Sequence, residues 1–67
     1  MNIYRFFMHN PGGQVEELGF MPLLDDSEAV AFGETMVRDL VRENSSPYAD
    51  SVVEVSEGGR TVSNIRP

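Results

Sequence analysis

The chain has 67 residues, 11 Asp+Glu against 5 Lys+Arg, a net charge of −6 and no cysteine. That excludes disulfides, thiolate nucleophiles and zinc–thiolate or iron–sulfur centres. It also argues against direct binding of nucleic acid or anionic membranes, which need clustered Lys and Arg. Lys is absent, and Arg5, Arg38, Arg42, Arg60 and Arg66 are scattered. With 40% hydrophobic residues the chain reads as a folded protein, and its length permits one domain, residues 1–67. At this size burial contributes on the order of 100 kcal/mol and chain ordering costs about as much, so self-association is a reasonable source of added stability. No signal-peptide pattern opens the chain, no run approaches a membrane span, and the cysteine-free composition fits a reducing compartment. A cytoplasmic protein is expected.

Residues 3–9 predict a strand of aromatic and branched side chains. Tyr4, Phe6 and Met8 fall on one wholly apolar face; Ile3, Arg5, Phe7 and His9 fall on a mixed one. Asn10-Pro11-Gly12-Gly13 is turn chemistry. A return strand follows over residues 14–20, and Pro22, which lacks an N–H, marks it as an edge.

A helix is predicted from Ser27 to Glu43. Ala29, Phe32, Met36, Val37, Leu40 and Val41 recur at three- and four-residue spacing, with Val30 and Gly33 bordering the stripe. Asp25-Asp26-Ser27-Glu28 fits a capping box, with Asp25 or Asp26 as the cap. Arg38 and Arg42 near the far end suit the macrodipole, and Glu34–Arg38 is a favourable i,i+4 pair. Asn44 in a left-handed conformation and Pro47 are expected to end the helix.

Residues 51–56 and 61–65 predict two more strands joined at Glu57-Gly58-Gly59-Arg60, a hairpin turn. The expected fold is α+β, a ββαββ two-layer sandwich: one helix on a four-stranded antiparallel sheet in the order 2-1-3-4. One helix covers one sheet face, so the other face and both edges stay available for association.

No catalytic constellation emerges. His9 has no cysteine or second His to work with, and a strand-end surface His is the plainer reading. Asp25, Asp26 and Glu28 could offer oxygen ligands to a hard cation, but helix capping accounts for all three and the EF-hand pattern is missing. Glu16 and Glu17, adjacent on a strand, point to opposite faces and read as edge charge. Neither Gly pair precedes a helix or a Gly-Lys-Ser/Thr, and six serines include no Gly-x-Ser-x-Gly elbow. No cofactor or metal is expected, and no enzymatic activity. The aromatic first strand suggests a base-stacking sheet, but its basic surroundings are lacking.

Taken together, Tyr4-Arg5-Phe6-Phe7-Met8-His9, Asn10-Pro11-Gly12-Gly13, Glu16-Glu17-Leu18-Gly19, Pro22-Leu23-Leu24-Asp25 and Val53-Glu54-Val55 leading to Gly58-Gly59-Arg60 span nearly the whole chain. This pattern resembles a family of short bacterial proteins of unknown function whose aromatic opening strand ends in His. Met8 interrupts the Phe-Phe-His run, and the helix is less Ala-rich than the pattern. The resemblance implies the same small fold and no known activity.

The leading expectation is a non-enzymatic protein-interaction module, a homodimer, with Tyr4, Phe6, Phe7 and Met8 at its interface. The alternative is an acidic mimic of nucleic acid that occupies the basic groove of a nucleic-acid-binding protein, as small phage-encoded anti-CRISPR proteins do. Its surface would be Glu16, Glu17, Asp25, Asp26 and Glu28 gathered together. Dispersal of those five would favour the module.

Overall fold

A computed structural model describes residues 1–48 and 50–66, with only the backbone over 44–48. The elements run β1 (Asn2–His9), β2 (Val15–Leu23), α1 (Asp26–Tyr48), β3 (Val52–Glu57) and β4 (Arg60–Ile65). The strands form one antiparallel sheet in the order β2-β1-β3-β4, with α1 packed on one side. This is the expected ββαββ architecture and strand order.

The alternation of β1 decides the layers. Tyr4, Phe6 and Met8 face α1 and are buried, beside Val53 and Val55 of β3 and Leu23 of β2. Ala29 and Val37 of α1 complete the buried set, and Phe32 stacks its ring 5.2 Å from Phe6 at a tilt of 47°. The most apolar face of the central strand takes the helix because that arrangement removes the most apolar surface from water.

The expectation that Tyr4, Phe6 and Met8 lie at a protein interface is therefore corrected. All three are enclosed beneath α1, and of the four residues only Phe7 is on the uncovered side.

Each turn has its chemical cause. The Gly13 N–H donates to the Asn10 carbonyl, and Gly13 has a φ of 85°. The Ser51 hydroxyl donates to Asn10 Oδ1 at 2.7 Å, tying the start of β3 to the β1 turn. Gly58 and Gly59 have φ values of 58° and 85°, so the β3–β4 hairpin turns through two left-handed residues.

Two bulges refine the sheet. Phe6 pairs with Gly19 and Phe7 with Glu17, so Leu18 is extra and packs toward the core. Gly19 has a φ of 144°, a conformation that a side chain disfavours. In β4, Val55 pairs with Ser63 and Ser56 with Thr61, so Val62 is extra and also packs inward. Strand β2 runs on through Pro22 to Leu23, three residues beyond the expected end, and it is an edge strand, as Pro22 requires.

The helix begins as expected but ends later. Asp25 is its cap: the Glu28 N–H donates to Asp25 Oδ1 at 2.9 Å, and the Ala29 N–H to the Asp25 carbonyl at 3.1 Å. Glu28 returns the favour to the Leu24 N–H at 3.4 Å. The stop expected at Asn44 does not occur; the backbone stays helical through Asn44 to Tyr48. Pro47 removes one backbone donor, and the helix ends one residue after it. Arg38 and Arg42 consequently fall short of the last turn, which holds no basic residue. Among the described residues Arg42 pairs with Asp39 at 3.8 Å, while Glu34 and Arg38 form no ion pair.

Gly33 lies in the middle of the buried helix face rather than on its border. A Cβ there would come within 2.7 Å of Ile65 Cδ1 and 3.1 Å of Val55 Cγ2. The absence of a side chain lets α1 settle onto β3 and β4.

Candidate functional site

The uncovered side of the sheet is built from the other parity of each strand. β1 contributes Ile3, Arg5, Phe7 and His9. Their register partners on β2 are Pro22, Phe20, Glu17 and Val15, and on β3 Arg5, Phe7 and His9 meet Ser56, Glu54 and Val52. Phe20 is 66% exposed and Ile3 49%, with Val15 also exposed and Phe7 half-buried between them. The β2–β1 half of this face is an apolar strip.

Charges thread that strip in pairs. Arg5 Nη1 donates to Glu17 Oε2 at 3.0 Å. Glu54 is held from two sides: Thr61 Oγ1 donates to its Oε2 at 2.7 Å, and His9 Nε2 meets its Oε1 at 2.7 Å. The Thr61 hydroxyl, and then His9, hold the Glu54 carboxyl below the ordinary glutamate range, against the opposing effect of burial. His9 thus has an acid partner, 45 positions away, that local sequence spacing does not reveal. Thr61 donates its proton to the carboxylate rather than to the imidazole, so the three do not form a nucleophile–base relay.

A second polar cluster lies on the helix side. The Tyr4 hydroxyl donates to Asp26 Oδ1 at 2.8 Å. Arg60 donates to the same carboxylate twice, Nη2 to Oδ1 at 2.8 Å and Nη1 to Oδ2 at 3.1 Å, and its Nε donates to Glu57 at 3.1 Å. The Arg60 hydrogen bonds, then Tyr4, lower the Asp26 carboxyl from its ordinary value. Burial, the largest cause, raises the Tyr4 phenol, and Asp26 raises it further. This cluster clips the start of α1 to the β3–β4 hairpin. A buried tyrosine needs a partner for its hydroxyl, and that need is the one sequence signal for it.

The five acidic residues considered for mimicry are dispersed. Glu17 is on the uncovered face with Arg5, and Glu16, opposite Met8, is on the helix side. Asp25 and Glu28 satisfy backbone N–H groups at the start of α1, and Asp26 belongs to Arg60 and Tyr4. The capping reading of Asp25 and Glu28 holds, and Asp26 has a different task. Among the described residues no three His, Asp or Glu side chains converge as a metal site would need, and no helix is long and apolar enough to cross a membrane.

No protein-family model matches the chain, and neither a curated protein nor a solved structure is detectably similar to it. The functional reading therefore rests on the uncovered face itself.

Proposed function

We propose that the protein is a non-enzymatic interaction module that self-associates through the uncovered face of its sheet, with a second copy as the occupant. The observation that carries this is the apolar strip in which Phe20 and Ile3 stand exposed beside Phe7. Large apolar side chains grouped on one face mark interaction surfaces.

Three features favour a second copy stacked face to face. The face carries both signs, Arg5 with Glu17 and His9 with Glu54, so a two-fold arrangement can set opposite charges across from each other. Edge-to-edge pairing along β2 is discouraged by the missing N–H of Pro22 and by the bulge at Leu18. Four strands of this length outline about 500 Å² before side-chain relief is counted. A standard dimer buries about 800 Å² per partner, so the pair belongs at the weak, micromolar end. The cysteine-free composition suits a cytoplasmic setting.

Sedimentation equilibrium from micromolar to millimolar protein tests this. A monomer–dimer equilibrium weakened only slightly by added salt is expected, because apolar contact dominates and the exposed charges are screened. Phe20→Glu should leave a monomer whose thermal melt matches that of wild type at dilute, monomeric concentration. A monomer at every concentration, or a dimer indifferent to Phe20→Glu, contradicts the proposal.

A further inference from the structure

Away from the uncovered sheet face, the flank of α1 beside β4 leaves an open groove of about 420 Å³. It is lined by Glu34, Val37, Arg38 and Val41 of α1, and by Ile65 and Arg66 at the end of β4. The volume lies within the range of small-molecule clefts, roughly 300–1,000 Å³. Val37 is buried, and Val41 and Ile65 are half-buried, so they supply an apolar bed. Arg38, Arg66 and Glu34 are exposed and supply the charge.

The distribution of arginines singles this groove out. The chain has five, at a net charge of −6. Arg5, Arg42 and Arg60 are in ion pairs with Glu17, Asp39 and Asp26. Among the described residues Arg38 and Arg66 are in none, and both line this one groove. Two cations lining one groove of an acidic protein, with an apolar bed beside them, complement an anionic head on an apolar body.

We infer that the groove binds a small carboxylate with an aliphatic chain, its head between Arg38 and Arg66 and its chain along Val37, Val41 and Ile65. Val37 and Val41 lie about 6 Å apart along the helix axis, a distance that a medium-length aliphatic chain spans. Glu34 opposes the head group electrostatically and holds the affinity down. A neighbouring groove of about 520 Å³, at the other end of the α1–β4 crevice, includes Asp26 and Glu34 and no cation, so the anion preference belongs to the Arg38–Arg66 end.

The test is an amide chemical-shift titration with sodium octanoate at low salt, below micelle-forming concentrations. Octyltrimethylammonium and leucine serve as the opposite-charge and zwitterionic controls. Saturable shifts centred on Val37, Arg38, Val41 and Ile65 are expected. Arg38→Gln with Arg66→Gln should weaken binding about tenfold or more, the loss of charge-assisted contacts to the head group. Glu34→Gln should tighten it, and the cationic control should leave those amides unmoved. All three side chains are exposed, so the variants should keep the wild-type thermal melt. No saturable shift, shifts confined to the uncovered sheet face, an equal response to octyltrimethylammonium, or stronger binding of leucine overturns the inference.

Discussion

The two faces of β1 divide the work of the molecule. Tyr4, Phe6 and Met8 meet Val53 and Val55 under α1, and together they are the driest part of the structure. One residue away in each direction, Ile3, Arg5, Phe7 and His9 meet Phe20, Glu17 and Glu54 on a surface where apolar groups and ion pairs alternate. The covered face keeps its polar contacts at the margins, where Tyr4 reaches Asp26 and Ser51 reaches Asn10. The uncovered face keeps its charges paired but leaves Phe20 and Ile3 to solvent. The same strand therefore stabilises the fold on one side and presents exposed apolar surface on the other. A substitution should act on stability or on association according to parity.

The largest effect should come from the covered face. Phe6→Ala removes the ring that stacks on Phe32 and empties the centre of the core. It should cost about 3–5 kcal/mol, enough to leave so small a domain largely unfolded in a urea or thermal melt. Gly33→Val drives a branched side chain into Ile65 and Val55 and should lift α1 from the sheet. About 2 kcal/mol is expected by urea denaturation, with the transition kept cooperative. Gly19→Ala meets no neighbour, so its effect isolates the backbone conformation at the β2 bulge. A loss of about 1 kcal/mol should appear in the same assay.

Acid should erode both faces through their carboxylates. Asp26 and Glu54 have folded-state values below those of the unfolded chain. Their contribution is thus complete above the unfolded values, near pH 4–5, and is lost as pH falls through the lowered ones. The melting temperature should decline below that window, and Glu54→Gln should flatten part of the decline. Both carboxylates are partly exposed, so the effect should be modest and shrink with added salt. The smallest folding effect belongs to Phe20→Glu. With two thirds of its surface already in water, its melt should match wild type within about 0.5 kcal/mol. A large loss there would erase the distinction between the faces.

Much of this division was legible from residue order. The stripe from Ala29 to Val41, the Asp25–Glu28 box, the Gly58-Gly59 turn and the edge role of Pro22 are local signals, and each appears in the structure. Strand directions then limited the sheet to few orders. Tyr4, Phe6 and Met8 read as interface residues because a wholly apolar strand face suits a partner and a helix equally well by composition. Only the packing of α1 shows that the helix takes it. Gly33 hides its role because close approach is a property of two elements, one of them 32 positions away at Ile65. The His9–Glu54 and Asp26–Arg60 pairs bridge 45 and 34 positions, beyond any periodicity. The choice between Asp25 and Asp26 as cap turned on a tyrosine hydroxyl and an arginine elsewhere in the chain.

The central claim, that a second copy of the chain covers the uncovered face, is tested most directly by isotope-filtered nuclear Overhauser spectroscopy on an equimolar mixture of labelled and unlabelled protein at millimolar concentration. Intermolecular contacts should connect Phe20, Ile3 and Phe7 of one copy to the same strip of the other. Intermolecular contacts arising instead from α1 or from the β4 edge, or none at all, would contradict it.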